Sequence, residues 1–129
     1  MGLQTFDERT ILAAVKLVAP ADGTGAVALL PVHSSDRRVD TIIATNRDTI
    51  AHVVTLTLNN GATTIILGSV SLAAGAGTAG TPAVDVLAAC LPATVVGLLL
   101  VPADNLLVTM AVAIQATFDV GFKVIGGIF

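Results

Sequence analysis

The stretch that decides the fold class is His52-Val53-Val54-Thr55-Leu56-Thr57-Leu58, which is followed by Asn59-Asn60-Gly61. From Val54 onward, apolar residues alternate with Thr. An alternation of period two places the apolar side chains on one face of a β-strand. Asn and Gly tolerate positive φ, so the Asn-Asn-Gly sequence predicts a turn. The stretch therefore predicts a half-buried strand that leads into a hairpin.

The same alternation recurs after this hairpin and predicts strands at 63–72, 106–114 and 118–124. Val39–Asn46 and Ala26–Val32, before the hairpin, are also predicted to be strands. Many of their residues are β-branched, as a pleated surface favours. Seven or eight short strands with Gly, Asn and Pro between them predict an all-β, antiparallel β-sandwich or jelly roll.

Three segments are less regular. Thr10–Ala19 leaves helix and strand open, because Ile11, Ala14, Val15 and Val18 also have helical spacing. Asp85–Cys90 predicts a short helical turn that ends before Pro92. The Gly- and Ala-rich residues 73–82 predict a connection without core-forming side chains. The expected organisation is an N-terminal arm or first element over 1–25 and a single β-sandwich domain over 26–129.

Composition excludes several classes of protein. Hydrophobic residues make up 54% of the 129 residues and charged residues 12%, which does not fit a disordered chain. A net charge of -3 and the absence of Trp and Tyr argue against binding to nucleic acid. With one Cys and two His, neither a disulfide framework nor a dedicated zinc site is expected. No cofactor is expected.

The apolar stretch 86–103 raises the question of a membrane span. It is uncharged, but Pro92 and Gly97 interrupt it, and it lacks flanking Lys or Arg. Two buried elements joined at Leu91-Pro92 fit it better, so no membrane association is expected.

Charge is unevenly distributed along the chain. Residues 1–50 hold eleven of the fifteen charged residues, and the remaining 79 residues hold four. Four charges are few for the surface of so long a segment, because a soluble surface is roughly 25–35% charged. Uncharged polar residues must therefore solvate part of this surface, and another chain is expected to cover part of it.

Gly75-x-Gly77-x-x-Gly80 has the spacing of a dinucleotide-binding motif. Thr81-Pro82 and a predicted strand follow it, whereas that motif requires a helix. We interpret the segment as a loop in which Gly75, Gly77 and Gly80 could lie against a neighbouring subunit.

Asp36-Arg37-Arg38-Val39-Asp40 is the densest cluster of charge. It fits either an ion-pair patch between subunits or the solvated start of a strand. Asp36, Arg37, Arg38 and the nearby Arg47 are therefore candidate subunit or shell contacts.

No catalytic constellation is expected. His33-Ser34-Ser35-Asp36 holds the residue types of a hydrolase triad, but a triad draws its members from separate elements, and a solvated turn fits better. Cys90 is expected to be a small buried hydrophobe and His52 a packed or edge histidine. The protein is therefore not expected to be an enzyme.

The residues Val39–Leu58 resemble a pattern in small structural proteins of tailed bacteriophages. In that pattern, a strand ending in Thr-Asn leads through Asp-Thr to Ala-His-x-Val-Thr-Leu, as 45–56 does here. Val70–Gly75 is also similar to it. The late Gly-Asp-x-Leu of the pattern is replaced by Ala103-Asp104-Asn105-Leu106, which departs from it.

The resemblance implies a virion structural protein with a β-sandwich fold, such as a capsid decoration (cement) protein on the capsid surface. The implied partners are the major capsid protein or another virion protein and further copies of the chain, with a trimer preferred. Two alternatives stay open at this point: a tail structural protein and a small ligand-binding β-barrel module.

Overall fold

A computed structural model describes residues 10–78, 80–92 and 97–129 of the chain. These residues form nine strands, one short α-helix and a 3-10 turn at Pro20–Asp22. The strands are β1 Thr10–Val18, β2 Val27–Leu30, β3 Arg37–Asn46, β4 His52–Asn59, β5 Thr64–Leu72, β6 Val84–Asp85, β7 Leu98–Leu100, β8 Asn105–Met110 and β9 Val120–Ile128, and helix α1 is Val86–Cys90.

The strands form two antiparallel sheets, which confirms the predicted all-β sandwich. The five-stranded sheet has the order β1-β9-β3-β6, with β7 also paired to β3. The four-stranded sheet has the order β2-β8-β4-β5. The count exceeds the predicted seven or eight because β6 and β7 are only two and three residues long. The jelly-roll assignment stays a prediction.

The core lies between the two sheets. Phe122 and Ile42 of the five-stranded sheet and Leu56 and Leu106 of the four-stranded sheet are among its largest fully buried side chains. Phe122, Leu56 and Leu106 stand at apolar positions of the alternating pattern, so the period of two places these core residues correctly.

The ambiguous first element is a strand. β1 pairs with β9 along its whole length, from Thr10 opposite Ile128 to Val18 opposite Val120. Leu12 and Val18 are buried, whereas the odd-numbered residues face outward. The helical spacing of its apolar residues arises because both faces of this strand carry apolar side chains.

Several strand boundaries differ from the prediction, most clearly around the segment between β8 and β9. β8 ends at Met110 instead of 114, and β9 begins at Val120 instead of 118. In the segment between them, the Gln115 backbone N–H donates to the Asp48 carboxylate instead of to a neighbouring strand. The predicted absence of core residues in 73–82 is wrong, since Ala76 is fully buried and its carbonyl accepts the Asn46 N–H.

The predicted helical turn before Pro92 is confirmed as α1, which Asp85 caps by accepting the Ala88 N–H at 3.2 Å. Within the described ranges, no helix is long and apolar enough to cross a membrane.

Candidate functional site

The outer face of the five-stranded sheet is apolar. In β1, Ile11 is 77% exposed, Val15 68% and Leu17 55%. Ile43 of β3 and Ile125 of β9 lie on the same face and are half-buried. We call these five residues the apolar outer face. A solvated sheet face normally carries polar residues, so this one has the composition of a surface that another molecule covers.

The strand register makes this face continuous. Lys123 of β9 stands between Val15 of β1 and Ile43 of β3. One rung further, Gly121 stands between Leu17 and Thr45. A groove of about 240 Å³ runs across these rungs and is lined by Val15, Leu17, Ile43, Thr45, Gly121, Phe122 and Lys123.

Gly121 has no side chain, which keeps the groove deep at this position. A Cβ at this position would lie 3.1 Å from Thr45 Oγ1 and 3.2 Å from Leu17 Cδ2. Any larger residue would therefore push these two side chains apart and fill the groove.

A second groove of about 500 Å³ adjoins the first at Thr45 and is lined by the Gly-rich loop at Gly77, Thr78, Gly80, Thr81, Pro82 and Ala83. Gly77 has a φ of 87°, and a Cβ there would lie 2.6 Å from Thr45 Cγ2. Contacts within the same chain therefore require a glycine at position 77. Gly75 and Gly80 also have positive φ, and a Cβ on Gly80 would meet no atom within 4 Å.

The loop does not have the context of a nucleotide site. The two-residue strand β6 follows it, and α1 has five residues and begins only at Val86. Of the three candidate glycines, Gly77 and Gly80 line an open groove on the outside of the sheet, whereas Gly75 is not part of its lining.

Arg37 is a buried residue. It is 2% exposed, and its Nη2 donates to the Asp104 carbonyl at 3.2 Å. Burial lowers the pKa of Arg37, and the nearby Asp104 carboxylate opposes this shift. Its guanidinium is therefore enclosed by its own chain and is not presented to a partner.

The other charged candidates lie on the surface. Asp36 is exposed, and its carbonyl accepts the Phe129 N–H. Arg38 Nε lies 2.8 Å from Asp40 Oδ1, and Arg47 Nε lies 3.5 Å from Asp119 Oδ1. Arg38 and Arg47 are thus already neutralised by carboxylates of the same chain, which suits solvated pairs as well as contacts to a partner.

A buried Asp–His pair links the turn after β3 to β4. His52 Nε2 lies 2.7 Å from Asp48 Oδ2, and both side chains are fully buried. The same Asp48 oxygen accepts the Gln115 N–H at 2.9 Å, and Asp48 Oδ1 accepts the Thr49 N–H at 2.6 Å. His52 Nδ1 is buried without a hydrogen-bond partner among the described residues.

Asn46 extends this polar cluster. Its Oδ1 accepts the Asp48 N–H, and its Nδ2 lies within 3.2 Å of the carbonyls of Ile50, Leu72 and Ala73. Burial would raise the pKa of Asp48, but the hydrogen bonds from Gln115, His52 and Thr49 outweigh it and hold the pKa below its ordinary value. The cluster therefore ties β3, β4 and the segment before β9 together at one end of the sandwich.

The chemistry open to this pair is limited by access. Neither Asp48 nor His52 reaches solvent, so no substrate can contact them in this structure. Over the described residues, no three His, Cys, Asp or Glu side chains could hold a metal ion together. The expectation that His52 is packed is confirmed. Its partner Asp48 was not predicted from the sequence. Asp48 lies four residues earlier, across a turn, and the alternating pattern of a strand predicts no contact across a turn.

The remaining two candidates, Cys90 and His33, lie where the sequence analysis expected structural residues. The Cys90 side chain is half-buried against Gly68, and burial raises the pKa of its thiol. His33 is exposed and accepts the Ser35 N–H through Nδ1, as in a solvated turn.

No protein-family model, curated protein or solved structure matches this chain.

Proposed function

We propose that the protein is a bacteriophage virion structural protein, a capsid decoration (cement) protein that stabilises the shell through protein–protein contacts. The observation that carries the proposal is the apolar outer face on an otherwise complete sandwich. Its side chains are not needed for the core, because the inner faces already fill the space between the sheets. Permanent interfaces are more apolar than ordinary surface, so such a face suits a lasting contact.

The strand order supports the same proposal. If the short β7 is set aside, the two sheets read 1-9-3-6 and 2-8-4-5, and the chain crosses between them repeatedly. This is the arrangement expected for an eight-stranded jelly roll, which is common in viral capsid domains. Because folds host many functions, the strand order adds support only beside the apolar face.

The buried polar groups at the two ends of the sandwich fit a structural role. Asp48, His52, Arg37 and Asp104 are buried and bonded within the chain, so the most unusual polar groups serve the fold. The apolar outer face is left as the surface with no role inside the chain, which favours an assembly partner over a small substrate.

The test uses purified protein and undecorated phage shells. We expect the protein to co-sediment with the shells in saturable amounts and to raise the temperature at which they rupture. A variant with Val15→Asp and Leu17→Asp should lose this binding, while Val53→Asp on the other sheet should keep it. A folded protein that does not bind shells would overturn the proposal.

Labelling of intact particles distinguishes the capsid from the tail. Antibody bound over the whole shell supports decoration, whereas antibody confined to the tail identifies a tail structural protein. Tight, stoichiometric binding of an apolar dye to the groove would instead favour the ligand-binding module.

A further inference from the structure

We infer that a second copy of this chain covers the apolar outer face, with a two-fold axis along β3 that brings Lys123 of each copy onto Asp85 of the other. This inference rests on the proposed function: the copies associate through this face, and the resulting assembly binds the shell. It replaces the trimer that the resemblance implies with a two-fold dimer.

The charges on this face stand in a regular pattern. Ile43 of β3 is opposite Lys123 of β9 on one side and opposite Asp85 of β6 on the other. Directly paired residues project from the same face of a sheet, so a cation and an anion flank an apolar residue on one rung. Their strands are two spacings apart, about 10 Å.

Both charges are available to a partner. Lys123 and Asp85 are exposed, and within the described ranges neither takes part in an ion pair. Asp85 Oδ1 accepts the Ala88 N–H, and its other oxygen is left for a contact. Burying this face against an apolar partner would leave both charges unpaired, which is costly, so the partner must carry compensating charges.

A second copy supplies those charges. Rotation about an axis that runs along β3 in the plane of contact exchanges its β9 side with its β6 side. Ile43 then meets Ile43 of the second copy, and each Lys123 meets an Asp85. Packed sheets lie about 10 Å apart, a gap that a Lys and an Asp side chain can bridge together.

The edge of the same sheet is unsuited to pairing. Lys16 of β1 is opposite Phe122, so it lies on the core side of the edge strand, yet it is exposed. Inward-pointing charges on edge strands prevent pairing with another chain. The copies are therefore expected to stack face to face rather than to join their sheets side by side.

The experiment reverses the two charges separately and together. Lys123→Asp and Asp85→Lys should each weaken self-association about 100-fold in analytical ultracentrifugation, because like charges then meet twice. An equimolar mixture of the two variants should recover the dimer, since every contact is again between opposite charges. The double variant should recover it alone.

Controls separate this effect from folding and from shell binding. Thermal unfolding shows whether Asp85→Lys, which also loses the cap of α1, still folds, and Asp85→Asn keeps a capping oxygen without the charge. Lys16→Asp changes charge equally on the edge and should leave the dimer intact. A wild-type dimer that the mixture of variants restores supports the inference.

A monomer, a trimer, or a dimer indifferent to both reversals would overturn the inference. Shell binding by a wild-type monomer would overturn the two-fold contact alone and leave the proposed function standing. A charge-dependent dimer that does not bind shells would support the two-fold contact and overturn the proposed function.

Discussion

The outer faces of the two sheets differ although their inner faces are alike. On the four-stranded sheet, Thr55 of β4 is opposite Ser69 of β5, with Thr55 Oγ1 2.8 Å from Ser69 Oγ. Thr57 and Ser71 lie on the same face, opposite Ile66 and Val53. On the five-stranded sheet, the corresponding positions of β1 hold Ile11, Val15 and Leu17.

The two faces would interact differently with water. Hydroxyl groups solvate one face without using charge, although Val53 and Ile66 are also exposed among them. The other face combines the five apolar residues with Thr41, Thr45, Lys123 and Asp85, and we propose that a partner covers it. Both sheets pack their inner faces into the same core. The difference between their outer faces therefore reflects what each outer face contacts and not how the chain folds.

The largest expected effect tests whether the inner faces are equivalent. Phe122→Ala on one sheet and Leu56→Ala on the other should each lower the free energy of unfolding by about 3–5 kcal/mol, because each leaves a cavity in the core. Chemical denaturation measures this, with Lys16→Ala as the exposed control. A loss below 1 kcal/mol at either core position would show that its sheet does not contribute to a shared core.

The second effect concerns self-association. Replacing Val15 and Leu17 by Thr gives the five-stranded sheet a face like its counterpart. The dimer should dissociate, while the stability of the protomer should change by about 0.5 kcal/mol or less. Val53→Thr is the matched change on the other sheet. If both variants dissociate equally, the two outer faces do not differ in role.

The third effect is acid sensitivity at the buried end of the sandwich. The pKa of Asp48 is lowered from its ordinary value of 3.8, so its stabilising contribution is complete above that pH and is lost as pH falls through the lowered value. Asp48→Asn should therefore be less stable at neutral pH and should lose less stability on acidification than the wild type. Thermal unfolding at several pH values between about 2 and 7 measures both. An unchanged acid profile would show that the carboxylate does not titrate with folding.

The smallest effect lies on the polar outer face. Thr55→Ala removes the hydroxyl contact with Ser69 and should cost about 0.5 kcal/mol, as exposed cross-strand pairs do. Ser71→Ala, one pair along the same strand, is the control. A cost above 2 kcal/mol would indicate that this face is buried in the native state and would remove the contrast between the sheets.

The sequence predicted the strands best where one face of the strand is exposed to water. β4 and the turn at Gly61 follow directly from the Thr alternation and the Asn-Asn-Gly signal. β1 was ambiguous for a physical reason: with Ile11, Val15 and Leu17 on its outer side, both faces are apolar and the period of two is hidden.

The candidate site was predicted only in part. The shortage of charge predicted a covered surface after residue 50, whereas four of the five residues of the apolar outer face lie before it. The Gly-rich loop borders a groove beside this face. Arg37 could not be separated from Arg38 by composition, yet one residue along a strand reverses the face, so Arg37 is buried and Arg38 exposed. The contacts of Asp48 with His52 and Gln115 depend on folding of distant segments and carry no local signal.

The most direct test compares solvent access to the two outer faces before and after assembly. Hydroxyl-radical labelling followed by mass spectrometry reports the exposure of individual side chains. On assembly, labelling of Ile11, Val15 and Leu17 should fall several-fold, while labelling of Val53 and Ile66 stays constant. Equal labelling of both faces in the assembled protein would contradict the account, because nothing would then cover the five-stranded sheet.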